Sequence, residues 1–354
     1  MSERDFSNAV RLSLREWAVI GLCTLGFVIA APRLWEKFET FRPDRDYRMP
    51  YDLSDDYWLY DRDTRKAARE HEFFLIGDSV IWGQYVTREQ TLSHYLNELE
   101  GRERFANLGL DGAHPIALAG LLEHYASGIR DKAVLLQLNP LWLSSPRHDL
   151  SSDDEAQFNH PRLVPQFVPW LGPYKEAISP RIGAVVDRNI PFLGWTGHLQ
   201  QAYFDRMDIP AWTLERPTAN PLRNLRAGLP PSDNIPRHKP GPWFQHGITR
   251  QDFPWVEPAK SLQWRFFRKA IDVLQSRGNR VFVLLGPFNE HLLTDASRQR
   301  YQRVKAELEA GLKAKGVAYF APAPLASEQY GDASHPLAPG YEALARELLP
   351  RLPH

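Results

Sequence analysis

The sequence predicts an α/β protein: a doubly wound parallel sheet of about five strands, interrupted by a large Pro- and Trp-rich insertion and preceded by an N-terminal transmembrane helix. Three observations predict it. Short apolar runs alternate with amphipathic 3.6-residue periods over residues 72–143 and again over 259–354. Between these stretches the periodicity stops, and 17 of the 29 prolines and five of the eleven tryptophans fall between Ser144 and Pro258. Near the start, Trp17 to Pro32 carries no charge.

Taken in order, residues 1–16 form a short polar tail and 17–35 a membrane anchor. The sixteen uncharged residues span about 24 Å at 1.5 Å per residue, and Trp17, Arg33 and Trp35 suit the two interfaces. A cleaved signal peptide, with Val28-Ile29-Ala30 near its end, and a buried apolar helix are the rivals. A lipoprotein reading fits poorly, because Leu22 precedes Cys23 where a small residue is wanted. Arginines flank the segment on both sides, so basic residues do not set its orientation. The expectation is a single pass with the following domain on the periplasmic or extracytoplasmic side, since enzymes held by one N-terminal segment are usually exported. Residues 36–71, charged and aromatic, read as a stalk lying on the domain edge, with "DRDTRKAAREHE" as a solvated charged face.

The first strand is expected at Phe73 to Ile76, followed by a helix with Leu92, Tyr95, Leu96 and Leu99 on one face. Thr87 and Gln90 suit a capping box at its start, and Gly101 suits its end. A second strand near Arg104 to Leu108 leads through "GLDGAHP" into a helix bearing Leu118, Leu121, Leu122 and Tyr125, with Pro115 in its first turn. The third strand, Ala133 to Leu138, is apolar except for Gln137, as a strand buried on both faces should be. Residues 144–258 hold too many prolines for long helices or central strands, so short helices and loops are expected there. The pattern then resumes: a helix with Leu262, Phe266, Ala270, Val273 and Leu274, and a strand at Val281 to Leu285. A helix with Tyr301, Val304 and Leu308, a strand at Val317 to Phe320, and a last helix with Tyr341, Leu344, Ala345 and Leu348 complete it.

Composition excludes some functions. Lysine plus arginine equal aspartate plus glutamate at 43 each, so there is no electrostatic footprint for nucleic acid. The lone Cys23 forbids an intramolecular disulfide or a thiolate metal cluster. There is no G-x-G-x-x-G, Walker loop or H-E-x-x-H. His94 and His124 sit in helical patterns and are expected to face solvent.

Four short motifs fall at expected strand ends or just before the last helix: Gly77-Asp78-Ser79, the loop Asn107 to Gly112, Asn139, and Asp332 with His335. Together they resemble the SGNH (GDSL-type) hydrolase superfamily, serine esterases and acyl transferases on a flavodoxin-like sheet, over residues 72–143 and 260–350. The resemblance makes Ser79 in "GDSVIWG" the nucleophile and gives Gly112 in "NLGLDG" a main-chain N–H for the oxyanion. It makes Asn139 in "LNP" a side-chain donor, and Asp332 and His335 in "DASH" the acid and base. The chemistry needs those types: a serine hydroxyl is a weak nucleophile until a base takes its proton, and a carboxylate holds that base in the right tautomer. The third block departs from the family, with Gln137 in place of glycine and Pro140 in place of aspartate. "GPFNEHLL" at the end of the fourth strand places Asn289, Glu290 and His291 near the same edge, where a polar loop is the plainer reading.

The resemblance implies a membrane-anchored esterase that needs neither metal nor organic cofactor. The implied substrate is an O-acyl group on a saccharide or a lipid-like ester, cleaved through an acyl-serine. Two alternatives stand beside it. One is an O-acyltransferase modifying a cell-surface polysaccharide with an integral-membrane acyltransferase as partner; the other is a binding module that keeps the fold without the chemistry. Trp82, Trp142, Trp170 and Trp243 are candidates to line the substrate site, with core and lid packing as the plainer reading.

Overall fold

A computed structural model describes residues 12–152, 156–229 and 234–353. Residues 1–11 of the expected tail lie outside the described residues.

Helix α1 runs unbroken from Leu14 to Phe38, opened by a Ser13–Glu16 capping box and carrying Pro32 inside it. It is long and apolar enough to cross a membrane, and most of its surface is uncovered by the rest of the chain. Helix α2, Tyr57–Glu70, then lies on the domain with Leu59 and Tyr60 buried. The segment expected as an edge stalk is therefore part of the core. The charged run is not wholly solvated either: Arg62, Asp63 and Thr64 are buried, because α2 turns that face inward.

The sheet consists of β1 (Phe73–Ile76), β2 (Phe105–Asn107), β3 (Ala133–Leu138), β4 (Arg280–Leu285) and β5 (Ala318–Phe320). All neighbours are parallel, in the order β2-β1-β3-β4-β5. This is the doubly wound order of flavodoxin-like sheets, and it reverses between β1 and β3.

The crossover helices are α3 (Ser79–Trp82), α4 (Leu92–Glu100), α5 (Pro115–Tyr125), α9 (Leu262–Gln275), α10 (Asp295–Ala314) and α11 (Ala338–Leu348). Alternation along the strands sorts them into two layers. Phe74, Ile76, Val134, Leu136 and Val283 face the layer that holds α2, α5, α9 and α10. Phe73, Leu75, Leu135 and Leu284 face α4 and α11. The Gln90 amide reaches back to the Thr87 N–H at 3.3 Å, but this box closes a separate 3-10 turn; α4 itself starts after Thr91. On α4, Leu99 is exposed and His94 is buried against Asp46, the reverse of what its periodicity suggested.

The insertion contributes α6 (Ile178–Asn189), α7 (Pro191–Tyr203), α8 (Ile209–Glu215) and loops. Helix α7 packs against both α1 and α2. A buried polar cluster joins them: His198 on α7 bonds Asp56 through Nδ1 (2.6 Å) and Glu39 through Nε2 (2.9 Å), while Arg62 and Tyr203 also bond Glu39.

Candidate active site

The carboxyl end of β1 delivers the chain into Gly77-Asp78, and Ser79 is the first residue of α3. Gly77 is confined: an added Cβ would lie 2.6 Å from Ile81 Cγ1 and 2.9 Å from Gln137 Cβ. Asp78 caps α3, its Oδ1 accepting from the Val80 N–H at 2.9 Å. The Ser79 side chain is thereby set at the sheet edge beside the start of α11.

There it meets His335. Ser79 Oγ and His335 Nε2 are 2.7 Å apart, and His335 Nδ1 lies 2.8 Å from each oxygen of Asp332. Asp332 Oδ1 also accepts the main-chain N–H of Ser334 (2.9 Å) and of His335 (3.0 Å), so the turn that carries the base also fixes the acid. A carboxylate on Nδ1 leaves Nε2 as the basic nitrogen facing serine. Burial opposes ionisation of Asp332, but the facing His335 and three hydrogen bonds outweigh it and hold its pKa near about 2. Burial likewise opposes charge on His335; Asp332, with smaller contributions from Asp78 and Asp111, overcomes this and raises its pKa above the ordinary value of 6.5.

Around this triad the structure uses residues in roles that differ from the sequence expectation. Both amide hydrogens of Asn139 are taken, one by Asp78 Oδ2 (2.9 Å) and one by Ser334 Oγ (3.1 Å). Asn139 therefore ties the Ser79 turn to the His335 turn, and in this arrangement it has no hydrogen left for an oxyanion. The main-chain N–H groups of Ser79 and Gly112 donate to nothing among the described residues. Gly112 adopts φ +69°, a conformation that favours glycine. Its loop is fastened from below, with the Leu110 N–H on Gly77 O (3.0 Å) and Asn107 Nδ2 on Ile81 O (2.9 Å). From above, His160 of the insertion bonds Asp111 O (2.6 Å).

Gln137, which stands where the resemblance wants glycine, has a use. With its amide nitrogen toward the acid, it reaches Asp78 Oδ1 at 3.2 Å and accepts from the Asn139 N–H at 3.3 Å. Trp142 Nε1 donates to Asp78 Oδ2 at 2.9 Å. Asp78, buried and one residue from the nucleophile, is thus the hub of a satisfied network. Sequence reading missed this role, although a carboxylate between Gly77 and Ser79 was there to be asked about.

Trp82 is buried: its indole N–H donates to Met49 O (2.7 Å) and Arg48 lies 4.0 Å from its ring centre. Trp243 is also buried, bonded to Ser327 Oγ. Asn289 braces the acid turn by donating to Asp332 O (3.0 Å), while Glu290 pairs with Gln302 and His291 with Leu325 O. The aromatic ring beside the site is that of Tyr85, whose centre is 5.7 Å from His335, 5.2 Å from His238 and 6.2 Å from His246. The two histidines come from the insertion; the Arg237 and His238 N–H groups bond Gln84 O, and His246 Nε2 bonds Gly241 O. Ser79 itself is only 8 % exposed.

The arrangement is therefore a buried serine with a base at hydrogen-bond distance, an oriented acid and two unspent main-chain donors. No family model matches the chain, and no curated protein matches it.

Proposed function

We propose that this protein is a serine esterase of the SGNH type, anchored by α1, that cleaves an O-acyl ester of a saccharide or a lipid-like ester. The observation that carries the reading is the unbroken line of contacts Ser79–His335–Asp332 at 2.7 and 2.8 Å. A serine, histidine and carboxylate so aligned suit nucleophilic acyl transfer.

In the proposed course Ser79 Oγ attacks the ester carbonyl as its proton passes to His335 Nε2. The Ser79 and Gly112 N–H groups receive the developing oxyanion, and His335 returns the proton to the departing alkoxide. Water, deprotonated by the same nitrogen, then releases the acid and regenerates Ser79.

A second reading draws on one observation. Ser79 is only 8 % exposed, and a sheltered acyl-enzyme favours an acceptor hydroxyl over water, as an O-acyltransferase with an integral-membrane partner requires. Nothing comparable favours a binding module, since a binding module has no need of a serine held against a base.

Labelling of the full-length protein with a fluorophosphonate probe tests the reading. Wild type is expected to label and the Ser79→Ala and His335→Ala variants not to. Equal labelling of Ser79→Ala, or none of wild type, overturns it. Labelling without turnover of simple aryl acetates moves the choice to transfer.

A further inference from the structure

Away from the triad, the insertion presents an uncovered apolar face. On α6, Ile178 and Ile182 are 70 % and 50 % exposed, and Val186 and Ile190 continue the same four-residue spacing. Just upstream, Val168 and Trp170 are 89 % and 66 % exposed. The ionic groups of α6 are turned away from this face. Arg181 is buried beneath Phe167, Trp170 and Tyr174, and Asp187 pairs with Arg162 at 2.5 Å. Arg188 donates to the carbonyls of Arg162 and Val164. A stripe of four β-branched residues without a charge is costly to leave in water, at about 25 cal/mol per Å² of apolar surface.

The position of α6 says what covers it. Phe192, three residues beyond its end and in the first turn of α7, meets Phe27 of α1 edge to face at 5.8 Å. Phe27 lies five residues inside the charge-free run that ends at Pro32, a depth of roughly 7 Å at 1.5 Å per residue. The end of α6 also lines, with Val28, Ile29 and Arg33, a cavity of about 620 Å³ whose other side carries the charged Glu36, Asp61 and Arg65. The insertion thus meets the anchor inside its charge-free run, and Ile190, at the end of the α6 stripe, lines the same cavity as Val28 and Ile29.

We infer that α6, with the Val168–Trp170 loop and Phe192, lies in the bilayer interface as a second membrane-contacting element, its apolar stripe in the acyl region of a phospholipid leaflet. An amphipathic helix with one neutral apolar face and an interfacial tryptophan suits that location. The inference rests on α1 spanning the bilayer and is independent of the proposed catalysis.

The test uses the full chain with Cys23→Ser in phospholipid nanodiscs. Single spin labels are placed through Leu25→Cys in the anchor, Ile182→Cys and Val186→Cys on α6, and Lys313→Cys as an aqueous reference. Collision with oxygen reports lipid, and collision with a water-soluble nickel chelate reports solvent. Labels at 182 and 186 are expected to lose nickel accessibility and gain oxygen accessibility, grouping with 25 and away from 313. Nickel accessibility at 182 equal to that at 313, with 25 in lipid, overturns the inference alone. Shielding of 182 and 186 from both reagents also overturns it, because a protein then covers the face. Nickel accessibility at 25 overturns the spanning helix and the inference together.

Discussion

Ser79 and His335 lie 256 positions apart, and the groups that bring them to 2.7 Å are mostly not the ones that react. Asp78 gathers Val80, Asn139 and Trp142, and Asn139 in turn holds Ser334 beside the base. The acid is the clearest place for a test. Asp332 raises the pKa of His335, and the proposed catalysis needs that histidine neutral, so the acid limb of kcat/KM should fall above the ordinary histidine value of 6.5. Asp332→Asn removes the charge that raises it: the limb should move to lower pH, while kcat drops by roughly 10³ to 10⁴ because Nδ1 loses its orienting partner. Hydrolysis rates across pH for both proteins check the two effects together.

At the scale of elements, the strands were the most legible part of the chain. Phe73 to Ile76 and Ala133 to Leu138 are bounded as their apolar runs are, because a parallel strand covered on both faces admits little else. The D-x-x-H turn was legible for a related reason: Asp332 and His335 interact locally, and the motif needs only α11 to place it. Elsewhere local pattern competed with tertiary contacts. Arg62 is buried because Glu39, 23 residues earlier, receives it, and no periodicity in "DRDTRKAAREHE" reports a partner on another helix. The role of Asn139 was hidden in the same way, since Ser334 lies 195 residues ahead. A loop glycine shows how tightly the elements fit. A Cβ on Gly109 would fall 2.4 Å from the Trp82 main-chain nitrogen, which cannot move without shifting α3. Gly109→Ala should therefore cost about 1 to 3 kcal/mol of stability and lower turnover by displacing both α3 and the Gly112 loop, as denaturation and steady-state rates would report.

On the scale of the whole molecule, α1, α2 and the insertion are joined by one buried cluster, with His198 between Asp56 and Glu39. Burial disfavours its charge, but the two carboxylates prevail and raise its pKa to about 9. A raised pKa in the folded state stabilises the fold fully below the ordinary value of 6.5, and this contribution is lost as pH rises through about 9. Replacing the histidine leaves Glu39 with Arg62 but deprives buried Asp56 of its cationic partner, so His198→Leu should be destabilised by about 3 to 5 kcal/mol at neutral pH. The gap between wild type and variant should narrow as the pH passes about 9, which thermal unfolding of the full chain at several pH values would show.

That cluster begins at the residue after Phe38, with no loose link between the end of α1 and the domain. With α1 in a bilayer, the Ser79–His335 edge is held at a set height and bearing, like a tool in a jig. Under the proposed esterase reading, acyl groups passing at that height are within its grasp, and those further out along a polymer must be brought to it.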